Sequence, residues 1–127
     1  MSIDYAALLA VSPTIKVAEA DYDFSRDGGE LYQQGINSQV IPEYSVLVGY
    51  AVYTFIGIES LGSAVLSFTV NGQVVALANN TEGYITAALY TGVPAFRTNA
   101  RRAIEGYISG AAITAGAAKL WLFYLPN

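Results

Sequence analysis

The feature that most limits what this chain can become is a pair of alternating runs hinged on Asn71-Gly72. Ahead of the hinge, Ala64, Leu66, Phe68 and Val70 alternate with Val65, Ser67 and Thr69, and behind it runs Gln73 to Leu77. Asn-Gly supplies the two positive-φ positions of a type I′ turn, whose twist matches that of two antiparallel strands, so a β-hairpin is predicted here. The period of two extends well beyond the hairpin. Val, Ile, Tyr, Phe and Thr dominate from Thr14 onward, and Gly, Pro and Asn interrupt them about every ten residues, which is the rhythm of a sandwich or barrel.

A first strand is predicted from about Ile15 to Phe24, with Ala18, Ala20, Tyr22 and Phe24 facing inward and Val17, Glu19, Asp21 and Asp23 outward. A turn at Asp27-Gly28-Gly29 leads to a short strand near Glu30 to Ile36, and Pro42 introduces a long strand from Tyr44 to about Ile56. Gly83 to Leu89, Arg102 to Ile108 and Ala117 to Leu125 follow, with Tyr90 to Asn99 as a long loop and Ser109 to Gly116 as a connection. The expected fold is all-β, a two-sheet jelly-roll β-sandwich of about eight antiparallel strands over residues 14–127. Residues 1–13 form a short N-terminal arm, in which Ser2 caps a turn placing Ile3, Ala7 and Leu8 on one side. Such a turn is too short to hold without a surface to lean on.

Two strands depart from the usual apolar and polar alternation. The last would carry Ala118, Leu120, Leu122 and Tyr124 on one face, yet Ala117, Lys119, Trp121, Phe123 and Leu125 on the other. The long strand sets Tyr44, Val46, Val48, Tyr50 and Val52 against Leu47, Gly49, Ala51, Tyr53 and Phe55. A strand apolar on both faces needs cover on both, which a chain this small finds in another sheet edge, its own arm or another copy of itself.

Composition agrees. Apolar residues make up 54% of the chain and charged ones 13%, about half the roughly 25% of an ordinary soluble domain, so much of the surface is uncharged or hidden in contacts. A net charge of −4 offers no basic field for a phosphate backbone, which argues against nucleic acid as a partner. With neither Cys nor His, thiolate nucleophiles, His-dependent triads and the usual zinc sites are excluded. The start of the chain lacks the basic region of a signal peptide, and the longest uncharged apolar run, Tyr44 to Ile58 with Glu43 before and Glu59 after, falls short of the roughly 20 residues that span a bilayer. No membrane partner is expected.

Interface candidates are therefore Tyr50, Tyr53 and Phe55 on the long strand, Trp121 and Phe123 on the last, and Tyr90, Phe96, Arg97, Arg101 and Arg102 around the long loop. Aromatic rings suit interfaces because they bury broad area, and the arginine forks suit an acidic neighbour. Tyr90, Phe96, Arg97 and Trp121 are also candidates to stack and pair with a carbohydrate, a reading that ranks behind docking to another protein. Asp21, Asp23, Asp27 and Glu30 are candidates for Ca²⁺, although Gly28 sits at the eighth position of the run where an EF-hand loop wants its sixth. Glu19, Asp21 and Asp23 have the spacing of a glycosidase pair on a strand, but carboxylates on small β domains ordinarily serve solubility. No catalytic residue, cofactor or metal is assigned.

Several segments together resemble a family of phage virion proteins, small jelly rolls of the capsid-decoration or head-fibre type. They are Tyr22-Asp23-Phe24-Ser25-Arg26-Asp27-Gly28-Gly29, Ile41-Pro42, Ser63-Ala64-Val65-Leu66-Ser67-Phe68, and Ile113 through Tyr124. The resemblance spans residues 20–125 and leaves the arm without a counterpart. It implies a non-enzymatic virion protein, trimeric, that decorates or cements the capsid or forms part of a fibre, with capsid or other virion proteins as partners. The alternative is a jelly-roll module that binds host-surface glycans.

Overall fold

The computed structural model describes residues 15–90, 98 and 100–126. The expected arm and the positions of Phe96 and Arg97 lie outside them. Ten strands and one helical turn are found among the described residues: β1 (Lys16–Asp23), α1 (Phe24–Asp27), β2 (Tyr32–Gln34), β3 (Asn37–Ser38), β4 (Val40–Ile41), β5 (Val46–Ser60), β6 (Val65–Val70), β7 (Gln73–Leu77), β8 (Ile85–Leu89), β9 (Arg102–Ser109) and β10 (Ile113–Leu125).

The first sheet runs β3-β1-β10-β5-β8 and the second β2-β9-β6-β7, with β4 also on β9. Because β2 and β4 both pair with β9, they act as one interrupted strand. The antiparallel pairs then nest as β1 with β10, β2 and β4 with β9, β5 with β8, and β6 with β7. Lateral pairing of β10 with β5 and of β9 with β6 folds that long hairpin over itself. Nested pairs wrapped in this way make the jelly roll.

The hairpin at Asn71-Gly72 forms as the sequence predicts, with φ of 53° and 77°. The strand count rises above eight because the segment after Gly29 does not stay in one sheet. Between β2 and β4 it crosses to the first sheet, where Asn37 and Ser38 pair with Asp21 and Ala20. The Ser38 hydroxyl donates to the Gln39 carbonyl and accepts from the Ile104 amide on the second sheet, so this short excursion stitches the two sheets along one margin. The first strand ends one residue early, because Phe24 begins α1. The Asp23 carboxylate accepts from the Ser25 amide as its N-cap, and Gly28 closes the turn at φ 77°.

Strict alternation along the long strand does not survive. Register slips between Phe123 and Tyr124 and between Ala117 and Ala118 mark bulges in β5 at Val48 and Phe55, so Leu47, Val52 and Ile58 all reach the core although their spacing is not even. One extra residue reverses the parity of everything beyond it. The last strand also starts earlier than predicted, at Ile113, with Gly116 at φ 147° where Ile58 leaves no room for a side chain. Its core face is Ala118, Leu120, Leu122 and Tyr124 as expected, interleaved with Ala18, Ala20 and Tyr22 from β1 and with Leu66, Phe68, Ile104 and Ile108 from the second sheet.

Candidate functional site

The side chains that point away from the core on the first sheet fall into rows set by strand register. Val17, Phe123, Gly49 and Leu89 form one row; Glu19, Trp121, Ala51 and Ala87 the next; Asp21, Lys119, Tyr53 and Ile85 a third. Phe55 lies beyond, edge-on to Tyr53 with ring centroids 4.7 Å apart. The face is apolar toward β8 and charged toward β1. Leu89 is 72% exposed, Ile85 61%, Phe55 51% and Val17 42%. Between Phe123 and Leu89 the small residues Ala51, Ala87 and Ala88 leave a trough of about 430 Å³.

Polar groups on the β1 side hold the aromatics in place. Trp121 Nε1 donates to Glu19 Oε1 at 3.0 Å, and Lys119 Nζ lies 3.5 Å from the same oxygen and 5.2 Å from the Trp121 ring centre. Trp121 is thereby fixed by its cross-strand neighbour and by a cation on its ring, an arrangement that presents an ordered surface.

Among the described residues, β8 ends the first sheet and nothing pairs with its outer edge. Tyr84 and Tyr90 bond to Thr54 and Val48 on β5, so the backbone groups of Ile85, Ala87 and Leu89 face away from the sheet. The strand carries no charge, no proline and no bulge, the devices by which β edges normally discourage pairing. The other edges are guarded. β3 and β4 have two residues each and β2 three, while β7 is bulged against β6 and its Val75 carbonyl accepts from the Tyr90 hydroxyl.

The ten sequence candidates divide by location. Tyr53, Phe55, Trp121 and Phe123 share the outer face of the first sheet. Tyr50 and Tyr90 turn inward instead, with ring centroids 5.8 Å apart against the core. Burial, with the Tyr50 hydroxyl beside it, holds the Tyr90 hydroxyl protonated well above the ordinary phenol range. Tyr90 is packed as a strut between β8 and β7. Arg101 and Arg102 open β9 on the second sheet, where with Gln33, Asn71 and Glu105 they border a polar depression of about 480 Å³. Phe96 and Arg97 are outside the described residues. Sequence reasoning missed Ile85, Ala87 and Leu89; the absence of charge in Gly83 to Leu89 was visible, but its position at an edge follows only from topology.

The front carboxylates have internal duties. Asp21 pairs with Arg26 at 2.9 Å and accepts from the Asn37 amide, and Asp27 binds Arg26 at 2.7 Å and accepts from the Asp23 amide. The Arg26 contact, then the Asp23 amide, hold the Asp27 carboxyl below its usual range. Beneath them Tyr22 donates to the Gly28 carbonyl at 2.6 Å, and burial, with Asp27 and Asp23 close by, pushes its hydroxyl up to about 12. Among the described residues no three acidic groups gather as a metal cluster.

No protein-family model matches the chain, and no curated protein matches it. Solved structures do. A chain of the cyanophage Pam1 capsid asymmetric unit superposes with a TM-score of 0.61 at 12% identity, over 89% of this chain and 85% of that one. A chain of the capsid of Ralstonia phage GP4 gives 0.55 at 16% identity, over 88% and 85%. A chain of the acid-stable capsid of Helicobacter pylori bacteriophage KHP30 gives 0.52 at 11%, over 89% of each. The fold is the one these capsid chains share. At such identities the likeness extends to the fold and its topology, and residue roles rest on the geometry above.

Proposed function

We propose that the protein is a non-enzymatic structural subunit of a phage virion, which self-associates as a trimer and decorates or cements the capsid or forms part of a fibre. The observation that carries this reading is the outer face of the first sheet, apolar from Phe123 to Leu89 and ending on the unguarded β8. Burying a Leu, Ile or Phe fully is favourable by about 1.5–3 kcal/mol, so Ile85, Leu89 and Phe55 together leave several kcal/mol available to a neighbour. The open backbone of β8 adds hydrogen bonds that direct where the neighbour lies. Its partners are other copies of the chain and capsid or other virion proteins, reached by shape and apolar contact. Likeness of fold to chains in three phage capsids supports the location in a virion. The non-enzymatic part of the reading is supported by the front carboxylates Asp21, Asp23 and Asp27, which are engaged by Arg26, Ser25 and Asn37.

The test is the mass of an edge variant. Ile85→Lys with Leu89→Lys places two charges on exposed positions of β8 and leaves the core untouched. Light scattering should show the parent as an assembly and the variant as single chains with unchanged thermal stability. A variant that keeps the parent's mass would remove β8 from the contact.

A further inference from the structure

The trimer proposed above, on which this inference rests, carries a symmetry requirement. Three copies around one axis meet through a heterologous contact, in which a surface of one chain faces a different surface of the next. The outer face of the first sheet therefore needs an unlike counterpart, and the outer face of the second sheet offers one. Register places Gln33, Tyr107, Ser67 and Leu77 in one row across β2, β9, β6 and β7. Their sequence neighbours Leu66, Phe68, Ala76 and Ile108 are buried in the core, so the row points outward, where Leu77 and, two residues along β6 from Ser67, Val65 are exposed. Tyr32 joins this face by breaking the alternation. Its register partner Ile108 is fully buried, yet Tyr32 is 61% exposed, with φ 79° and its ring 6.1 Å from that of Tyr107. A bulky residue at positive φ is strained, and the strain here holds an aromatic ring at the surface instead of in the core.

We propose that the outer face of the second sheet, around Tyr32, Tyr107 and Leu77, receives the first-sheet face and β8 edge of the neighbouring copy, so that each chain gives one face and takes the other. Charge favours unlike faces over like ones. On the β1 flank of the first sheet Glu19, Asp21, Asp23 and Asp27 outnumber Arg26 and Lys119, whereas at the start of β9 on the second sheet Arg101 and Arg102 outnumber Glu105. A first-sheet face thus repels a copy of itself at that flank and attracts a second-sheet face. The residue types also fit. Tyr32 and Tyr107 bury broad rings, and their hydroxyls with the Gln33 amide supply hydrogen-bonding groups for the open backbone of β8.

Light scattering over a concentration series tests this with variants that leave β8 untouched. Leu77→Lys with Val65→Lys charges exposed positions of the second-sheet face and should run as a single chain with the parent's thermal midpoint. Tyr32→Asn removes the ring and supplies a residue that accepts positive φ, so it should fold at least as stably as the parent while associating about tenfold more weakly. The deciding sample is an equal mixture of Leu77→Lys/Val65→Lys with Ile85→Lys/Leu89→Lys. Each of these alone has lost one face, but together they retain one intact contact between unlike variants, which should give pairs at twice the 13.5 kDa chain mass. Either second-sheet variant keeping the parent's mass and affinity would overturn the assignment, and so would a mixture that stays at single-chain mass. A parent that is itself a single chain throughout would overturn the trimer as well, so the two failures are read apart.

Discussion

At the residue level, the groups that ionise serve the frame of the first sheet. Asp27 has its carboxyl depressed by Arg26 and the Asp23 amide, so it contributes stability above the unfolded carboxylate range and loses it as pH falls through its lower folded value. Tyr22 has the opposite sign: its contribution is complete below about pH 10 and disappears as pH rises toward about 12. Thermal unfolding against pH should therefore show a plateau with an acid shoulder that Asp27→Asn reduces, the rest coming from Asp23, which the Ser25 hydrogen bonds also hold low. Tyr22→Phe deletes the bond to Gly28 and should cost about 1 kcal/mol at neutral pH, since the Gly28 carbonyl is close enough to the surface to recruit water. Trp121→Ser with Phe123→Ser separates two roles for the outer face. Both rings are half-buried rather than enclosed, so the pair should disperse the assembly with a smaller loss than the roughly 3–5 kcal/mol of a truncated core aromatic. Unfolding of the single chain would instead place them in the core.

At the level of elements, what was readable in the sequence was whatever depends on neighbours along the chain. Asn71-Gly72 predicted its hairpin, and the two faces of β10 were assigned residue by residue, because a period of two is local. The bulges at Val48 and Phe55 were not readable: they appear only in the register of β5 against β10, more than 60 positions away, and no single residue announces them. The crossing of Asn37 and Ser38 between sheets was hidden for the same reason, since Ser38 is explained by the Ile104 amide, 66 positions away. Among the candidate residues, Trp121 and Phe123 stand out by their excess over the pattern and lie on the outer face of the first sheet. Tyr50 and Tyr90 were grouped with them by residue type although packing turns them inward. The turn itself can be tested: Gly72→Val forces a β-branched residue to φ 77° and should destabilise by more than 1 kcal/mol in chemical denaturation while leaving the assembly's stoichiometry unchanged.

At the level of the whole molecule, low charge, two-sided apolar strands and a β8 edge left unpaired among the described residues point the same way. The charged residues Glu19, Asp21, Asp23, Arg26 and Lys119 gather on the β1 side of the first sheet, and β8 has none, so the outer face is charged on one flank and apolar on the other. Such a shape gains from being one piece of a larger surface. The most direct measurement is the mass of the unmodified protein by light scattering at micromolar concentration. The account predicts an assembly of three times the 13.5 kDa chain mass; a stable single chain would contradict it.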